Sequence, residues 1–170
     1  MDAHGRTDAA VLVPLYGWPR DPGLIFTERR ADLRRHAGEI SFPGGRQDEP
    51  DEDLRTTALR EAEEEVGLDP GRVDMVGALP PIGTFVTSYK VHPFVGLIDE
   101  PARLGLVPNP QEVETVLAFS LESLRDGFAM QRLVRRGVPI RTPTYTVEGH
   151  LIWGATARIL EELLERLPPR

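Results

Sequence analysis

Glu61, Glu64 and Glu65 stand at i, i+3 and i+4 in the run Arg60-Glu61-Ala62-Glu63-Glu64-Glu65. On a helix that advances about 100° per residue, this spacing gathers three carboxylates on one face and turns Glu63 elsewhere. Two carboxylates about 5 Å apart repel by roughly 1 kcal/mol in water and by roughly 3 kcal/mol at an effective dielectric near 20, so three at a partly buried edge need a counter-charge. Arg60, four residues before Glu64, can offset one of them. A hard divalent cation with oxygen ligands answers the cluster better. From the helix alone, that reading and a solvated acidic face have equal claims.

The helix carrying these residues is expected over residues 51–66. Asp51, Glu52 and Asp53 fall in its first turn, where the macrodipole favours negative charge, and Gly67 is placed as a left-handed terminator. Ala58, Leu59, Ala62 and Val66 form an apolar stripe that anchors the helix on a sheet and leaves the carboxylates at the edge of the buried surface. Upstream, residues 10–16 and 24–29 read as strands of a hairpin with a loose loop. Residues 40–42 form a short extended piece stopped by Pro43, Gly44 and Gly45, which presents a loop just before the helix. Downstream, strands are expected at 73–79, 89–98 and 113–120, with a helical turn at 121–125. Strands at 140–147 and 150–153 flank Glu148 and Gly149 as a tight hairpin. A closing helix at 155–167 carries Ile159, Leu160, Leu163, Leu164 and Leu167 at helical spacing. Mixed strands with two main helices imply an α/β sandwich.

A chain of 170 residues suits one domain, taken here as residues 1–170, and is too short for two ordinary ones. With 40% hydrophobic and 28% charged residues it has a globular rather than a disordered or membrane composition. A net charge of −7 argues against a nucleic-acid surface built on bulk positive charge, although a small anionic ligand can still sit in a local basic pocket. There is no cysteine, which removes disulfides and thiolate metal sites. The apolar run at residues 9–15, broken at Pro14, is too short for a signal peptide or a membrane span, so a cytoplasmic protein is expected.

The string around the helix is more specific than the helix itself. It reads Gly44-Gly45, six residues, Glu52, seven residues, then Arg60-Glu61-Ala62-Glu63-Glu64-Glu65-Val66-Gly67-Leu68. This closely resembles the Nudix box: Gly, five residues, Glu, seven residues, Arg-Glu, an aliphatic, any residue, Glu-Glu, any residue, Gly, an aliphatic. Ala62 takes the aliphatic position. The first half is one residue too long, so either Asp51 or Glu52 occupies the first acidic position. The resemblance implies an α/β/α sandwich with a mixed sheet and a small-molecule nucleotide substrate. It also implies Mg²⁺ or Mn²⁺ held by Glu61, Glu64 and Glu65 with help from the carbonyl of Gly45. Arg60 would orient a carboxylate. The proton acceptor differs among Nudix enzymes, which leaves Glu61, Glu65 and Glu112 as candidates, with Glu61 favoured.

The upstream run Leu24-Ile25-Phe26-Thr27-Glu28-Arg29-Arg30 and Leu33-Arg34-Arg35-His36-Ala37-Gly38-Glu39-Ile40-Ser41-Phe42-Pro43-Gly44-Gly45 looks like the extended motif of the coenzyme A diphosphatase branch. Thr27, Arg29, Arg34, Gly38 and Phe42 to Gly45 fall in register, while Arg30 replaces the usual serine. Residues 152–160 also resemble that branch. Coenzyme A carries a 3′-phosphate besides its diphosphate, and Arg29, Arg34 and His36 are donors suited to extra phosphate. The alternative for the arginines is that they balance the acidic helix, and for His36 a backbone cap. His92, beside Pro93, reads as structural. Trp153 and the 159–167 stripe read as core, and the terminal helix could also meet a partner subunit in a homodimer. Competing functions are a Nudix hydrolase of ADP-ribose, dinucleoside polyphosphates or oxidised nucleoside triphosphates, and a catalytically silent Nudix domain that senses nucleotides. The intact Arg60, Glu61, Glu64 and Glu65 argue against the last.

Overall fold

The computed structural model describes residues 7–33, 38–48, 53–84, 88–135 and 137–169. In chain order the strands are β1 (Thr7–Tyr16), β2 (Gly23–Arg29), β3 (Ile40–Ser41), β4 (Gly44–Arg46), β5 (Asp74–Ala78), β6 (Ile82–Gly83), β7 (Tyr89–Ile98), β8 (Val113–Ser120), β9 (Phe128–Arg135), β10 (Val138–Val147) and β11 (His150–Ile152). The helices are α1 (Leu54–Val66), α2 (Pro101–Leu104), α3 (Leu121–Asp126) and α4 (Gly154–Arg166). Among the described residues, β1 to β8 form one mixed sheet and β9 to β11 a second, smaller one.

The larger sheet forks at β1. One edge of β1 runs parallel to β7 along its whole length. The other edge meets β2 only at Leu15↔Leu24 and Tyr16↔Gly23, then diverges and pairs with β4 over Ala9↔Arg46, Ala10↔Gly45 and Val11↔Gly44. The segment from Ile40 to Arg46 is wedged into the gap: β3 bonds to β2 through Thr27↔Ser41, and the Leu12 amide donates to Pro43 O at 2.8 Å. The Phe42 ring, stacked on Phe26 with centroids 4.7 Å apart, pins the wedge to the core. The expected β1–β2 hairpin is therefore open for most of its length, and β2 pairs instead with β8.

Alternation along the central strands sorts side chains into two cores. Val13, Leu15, Leu24 and Phe26 point to the face covered by Ala157, Ile159, Leu160, Leu163 and Leu164 of α4. Ala10, Leu12 and Ile25 point to the face covered by Ala58, Ala62 and Val66 of α1. Two helices on opposite faces of a mixed sheet make the α/β/α sandwich. His92 Nε2 stands 2.9 Å from Asp8 Oδ1, a tie between neighbouring strands β7 and β1. Trp153 is half-buried and caps α4 with extended backbone. Among the described residues no helix is long and apolar enough to cross a membrane.

Three local expectations change. α1 begins at Leu54 because Asp53 is its cap and accepts from the Thr56 amide at 2.7 Å, so no acidic residue occupies the first helical turn. Asp51 and Glu52 lie outside the described residues. Leu59 is only half-buried, and Thr57 takes its place in the buried stripe. Gly44 and Gly45, expected in a loop, are strand residues. Gly67 ends α1 at φ 69°, and Glu148 and Gly149 form the β10–β11 turn at φ 51° and 80°.

Candidate active site

Ala58, Ala62 and Val66 recur every four residues and are 0%, 1% and 1% exposed, so α1 lies flat on the sheet along this line. Glu61 and Glu65 each precede a buried member of the stripe by one residue. Their carboxylates are thereby held at the margin between core and solvent. Glu64 lies one step further round, with its side chain 57% exposed.

The fork in the sheet delivers Gly44 and Gly45 to this margin. A Cβ built on Gly45 would lie 2.5 Å from Glu61 Cδ, so only glycine lets the backbone approach this carboxylate. The Gly44 amide donates a long hydrogen bond to Glu65 Oε2 at 3.4 Å. Burial, and then the charge of Glu61, push the Glu65 carboxyl up to about 8, with the Gly44 amide pulling the other way. Burial also raises Glu61, partly offset by the Arg60 guanidinium. Arg60 Nη1 bonds Glu61 Oε1 at 3.1 Å and Glu64 at 3.3 Å, while Nη2 approaches Asp48 Oδ2 and Arg46 O, each at 3.4 Å. Arg60 thus gathers Glu64, Asp48 and one oxygen of Glu61 on the outer side of the helix and leaves Glu65 on its inner side.

The opposite wall comes from β2 and from the start of β8. Ile25, Thr27 and Arg29 alternate onto the α1 face. A bulge between Glu28 and Arg29 shifts the register, so that Glu28 faces Thr115 and Arg29 faces Val113. Thr27, Arg29, Glu65, Glu112 and Val113 together line an open depression of about 220 Å³ including its mouth. Glu112 is close enough to Glu61 and Glu65 to raise both carboxyls, while Arg29 lowers that of Glu65.

The structure thus brings together Glu61, Glu65, Gly45, Arg60, Arg29 and Glu112, and leaves Glu64 at the rim. Arg34 and His36 lie outside the described residues. Among the described residues, no three acids or imidazoles already converge as a ready ligand set. Arg60 holds Glu64 and one oxygen of Glu61. Val113 and Asp48 were not legible as site residues from sequence, whereas Thr27, in register with the branch motif, lines the depression with Val113.

Because the Gly45 backbone lies in ordinary strand pairing, Gly45→Ala should fold. Its methyl group must displace the Glu61 carboxylate, which lowers turnover about tenfold or more. A hydrolysis assay beside a thermal melt checks this; unchanged turnover would mean that the close approach has no functional role.

A family model described as NUDIX domain matches residues 6–137. The chain is 42% identical over 160 residues to an uncharacterized Nudix hydrolase NudL of Citrobacter koseri, covering 93% of this chain and 81% of that protein. It is 43% identical to the corresponding protein of Cronobacter sakazakii, with the same coverage. Among solved structures, the Nudix hydrolase RenU of M. smegmatis superposes with a TM-score of 0.65 at 18% identity, over 98% of this chain and 90% of that one. The NUDIX domain of Shewanella oneidensis NrtR, complexed with ADP ribose, superposes with a TM-score of 0.63 at 15% identity, over 99% and 91%. At these identities the structures speak for the fold alone.

Proposed function

Since the chain belongs to the NUDIX domain family and is a Nudix hydrolase, we propose that it cleaves the diphosphate of coenzyme A or its derivatives, with Mg²⁺ or Mn²⁺, to 4′-phosphopantetheine and adenosine 3′,5′-bisphosphate. One observation carries the choice of substrate. Arg29, from the run that resembles the coenzyme A branch, lines the same depression as Glu65 of the Nudix helix. A guanidinium there can take two phosphate oxygens at once. In this reading Arg34 and His36, further along the same run, supply donors for the additional phosphate.

The residues present fit a hard divalent cation. The donors are all oxygen, two of the carboxyls are buried enough to resist ionisation on their own, and a backbone bearing no side chain passes against one of them. Glu61, Glu65 and the Gly45 carbonyl would hold the ion, with Glu64 entering from the rim on release from Arg60. When bound, the cation supplies charge neutralisation of the diphosphate oxygens and acidifies water beside them. Arg60 keeps Glu61 turned along the helix, and Arg29 orients the anionic substrate across the depression. In this reading Glu61 and Glu65 serve as ligands, and Glu112 on the facing wall, in place of the Glu61 favoured from sequence, accepts the proton of the attacking water. That proton then leaves with the phosphate products as the P–O bond breaks.

A panel of coenzyme A, ADP-ribose, a dinucleoside polyphosphate and an oxidised nucleoside triphosphate, each with Mg²⁺ or Mn²⁺ and with a chelator control, tests the proposal. Phosphopantetheine should appear from coenzyme A and vanish with the chelator. Efficient cleavage of ADP-ribose with no product from coenzyme A would overturn the substrate assignment.

A further inference from the structure

Arg30 follows the last residue of β2 and stands where the coenzyme A branch motif carries serine. Its guanidinium works away from the depression. Nη1 donates to Pro110 O at 2.8 Å, and Nε donates to Asp32 Oδ1 at 2.9 Å while Nη2 reaches the other oxygen of the same carboxylate. The pairing with Arg30 holds the Asp32 carboxyl below its ordinary range. Asp32 therefore fixes the plane of the guanidinium, and an N–H of Nη1 is aimed at Pro110. The Arg30 backbone amide also donates to Glu112 O at 3.1 Å.

The segment so clasped is fastened at its other end to α1. Val107 N donates to Val66 O at 2.9 Å and Asn109 N to Glu65 O at 2.8 Å, satisfying carbonyls that the end of a helix leaves without partners. Between these anchors Asn109 organises a tight turn. Its carbonyl accepts from the amides of Glu112 at 3.1 Å and Val113 at 2.9 Å, and its side-chain oxygen accepts from the Gln111 amide at 3.1 Å. The turn is pinned to the helix by Asn109 and to the β2 end by Arg30, and the residue it presents between those two pins is Glu112.

We propose that Arg30 is a positioning residue for hydrolysis: with its guanidinium on the Pro110 carbonyl, beside its own backbone amide on the Glu112 carbonyl, it holds the Glu112 carboxylate across the depression from Glu65. This inference rests on the reading of the site as a diphosphate hydrolase. Arg30 itself contacts no substrate, so its loss acts on the chemical step and not on binding.

The test uses the full chain as wild type, Arg30→Ala, Arg30→Lys, Glu112→Gln and the Arg30→Ala/Glu112→Gln double variant, with whichever of coenzyme A or ADP-ribose the wild type cleaves in Mg²⁺. Arg30→Ala should lower kcat about tenfold with KM held within about twofold, and should cost nothing further in the Glu112→Gln background. Arg30→Lys, which keeps a donor for Pro110 but loses the fork onto Asp32, should recover part of the rate. Independently of any substrate, the amides of Glu112 and Val113 should exchange hydrogen faster in Arg30→Ala while those of α1 keep their protection. A rise in KM at unchanged kcat would make Arg30 a substrate contact and overturn the proposal. Additive losses in the double variant, or unchanged exchange at Glu112 and Val113, would overturn it too. Failure of the coenzyme A assignment shows in the wild type alone, and failure to cleave either compound leaves the exchange result to decide the clamp.

Discussion

Glu61→Gln and Glu65→Gln are each expected to lower turnover by about 10³-fold, equivalent to roughly 4 kcal/mol of transition-state stabilisation, while leaving the fold intact. The fold survives because the substitution keeps shape and an acceptor oxygen. At position 65 the Gly44 amide retains its partner, and the carboxyl it replaces already resists ionisation. At position 61 the amide oxygen still accepts from Arg60. Activity falls because a neutral amide is a far poorer ligand for a hard cation than a carboxylate. Glu64→Gln is expected to lose less, since its side chain is mostly in solvent and bound to Arg60. The measurement is turnover over a Mg²⁺ titration, with a circular dichroism spectrum to establish folding. Near-normal turnover in both variants would remove Glu61 and Glu65 from the metal site.

What made these two residues legible is that their placement is local. Helical periodicity alone puts them beside Ala62 and Val66, and Gly67 stops the helix whatever else happens in the chain. The hairpin at Glu148 and Gly149 is readable for the same reason: Gly149 takes a left-handed backbone without a Cβ penalty, and the turn needs nothing beyond itself. Gly44 and Gly45 illustrate the opposite case. Nothing in Gly-Gly-Arg favours a strand; it becomes one because β1 diverges from β2 and needs a partner. β9 escaped a sequence reading because its alternation runs against the usual rule. Phe128, Met130 and Val134 are exposed, while the smaller or intervening Ala129 and Leu133 are half-buried, as an edge strand of a three-stranded sheet permits. The pocket wall was still less legible. Arg29 could be singled out by its chemistry, but its meeting with Glu112 and Val113 depends on a bulge and on a turn whose anchors lie some eighty residues away in the chain. Local signals therefore reveal the helix that supplies the acids, and non-local pairing decides what faces them.

That division leads to a prediction about stability, because burial and the charge of Glu61 raise the Glu65 carboxyl further than the Gly44 amide and the Arg29 guanidinium lower it. The folded-state value for Glu65 is about 8 against an ordinary 4.5. A carboxyl raised on folding binds its proton more tightly in the folded chain, so its contribution to stability is fully present below the ordinary value and is lost as pH rises toward the folded one. Glu61, raised by the same burial, acts in the same direction. Without divalent cation the wild type should therefore lose on the order of a few kcal/mol, relative to Glu65→Gln, between about pH 5 and about pH 9. The comparison with Glu65→Gln is needed because Asp32 and Asp53, both lowered on folding, tilt the profile the other way. Mg²⁺ added near pH 9 should restore the wild type, since an ion that binds only the folded state at about a hundred times its dissociation constant adds roughly 2.7 kcal/mol. The variant should respond weakly. Urea midpoints at the two pH values, in chelator and in Mg²⁺, read both effects. Parallel profiles for wild type and variant, with no Mg²⁺ response in either, would mean that Glu65 is not the buried charge for which the cation compensates.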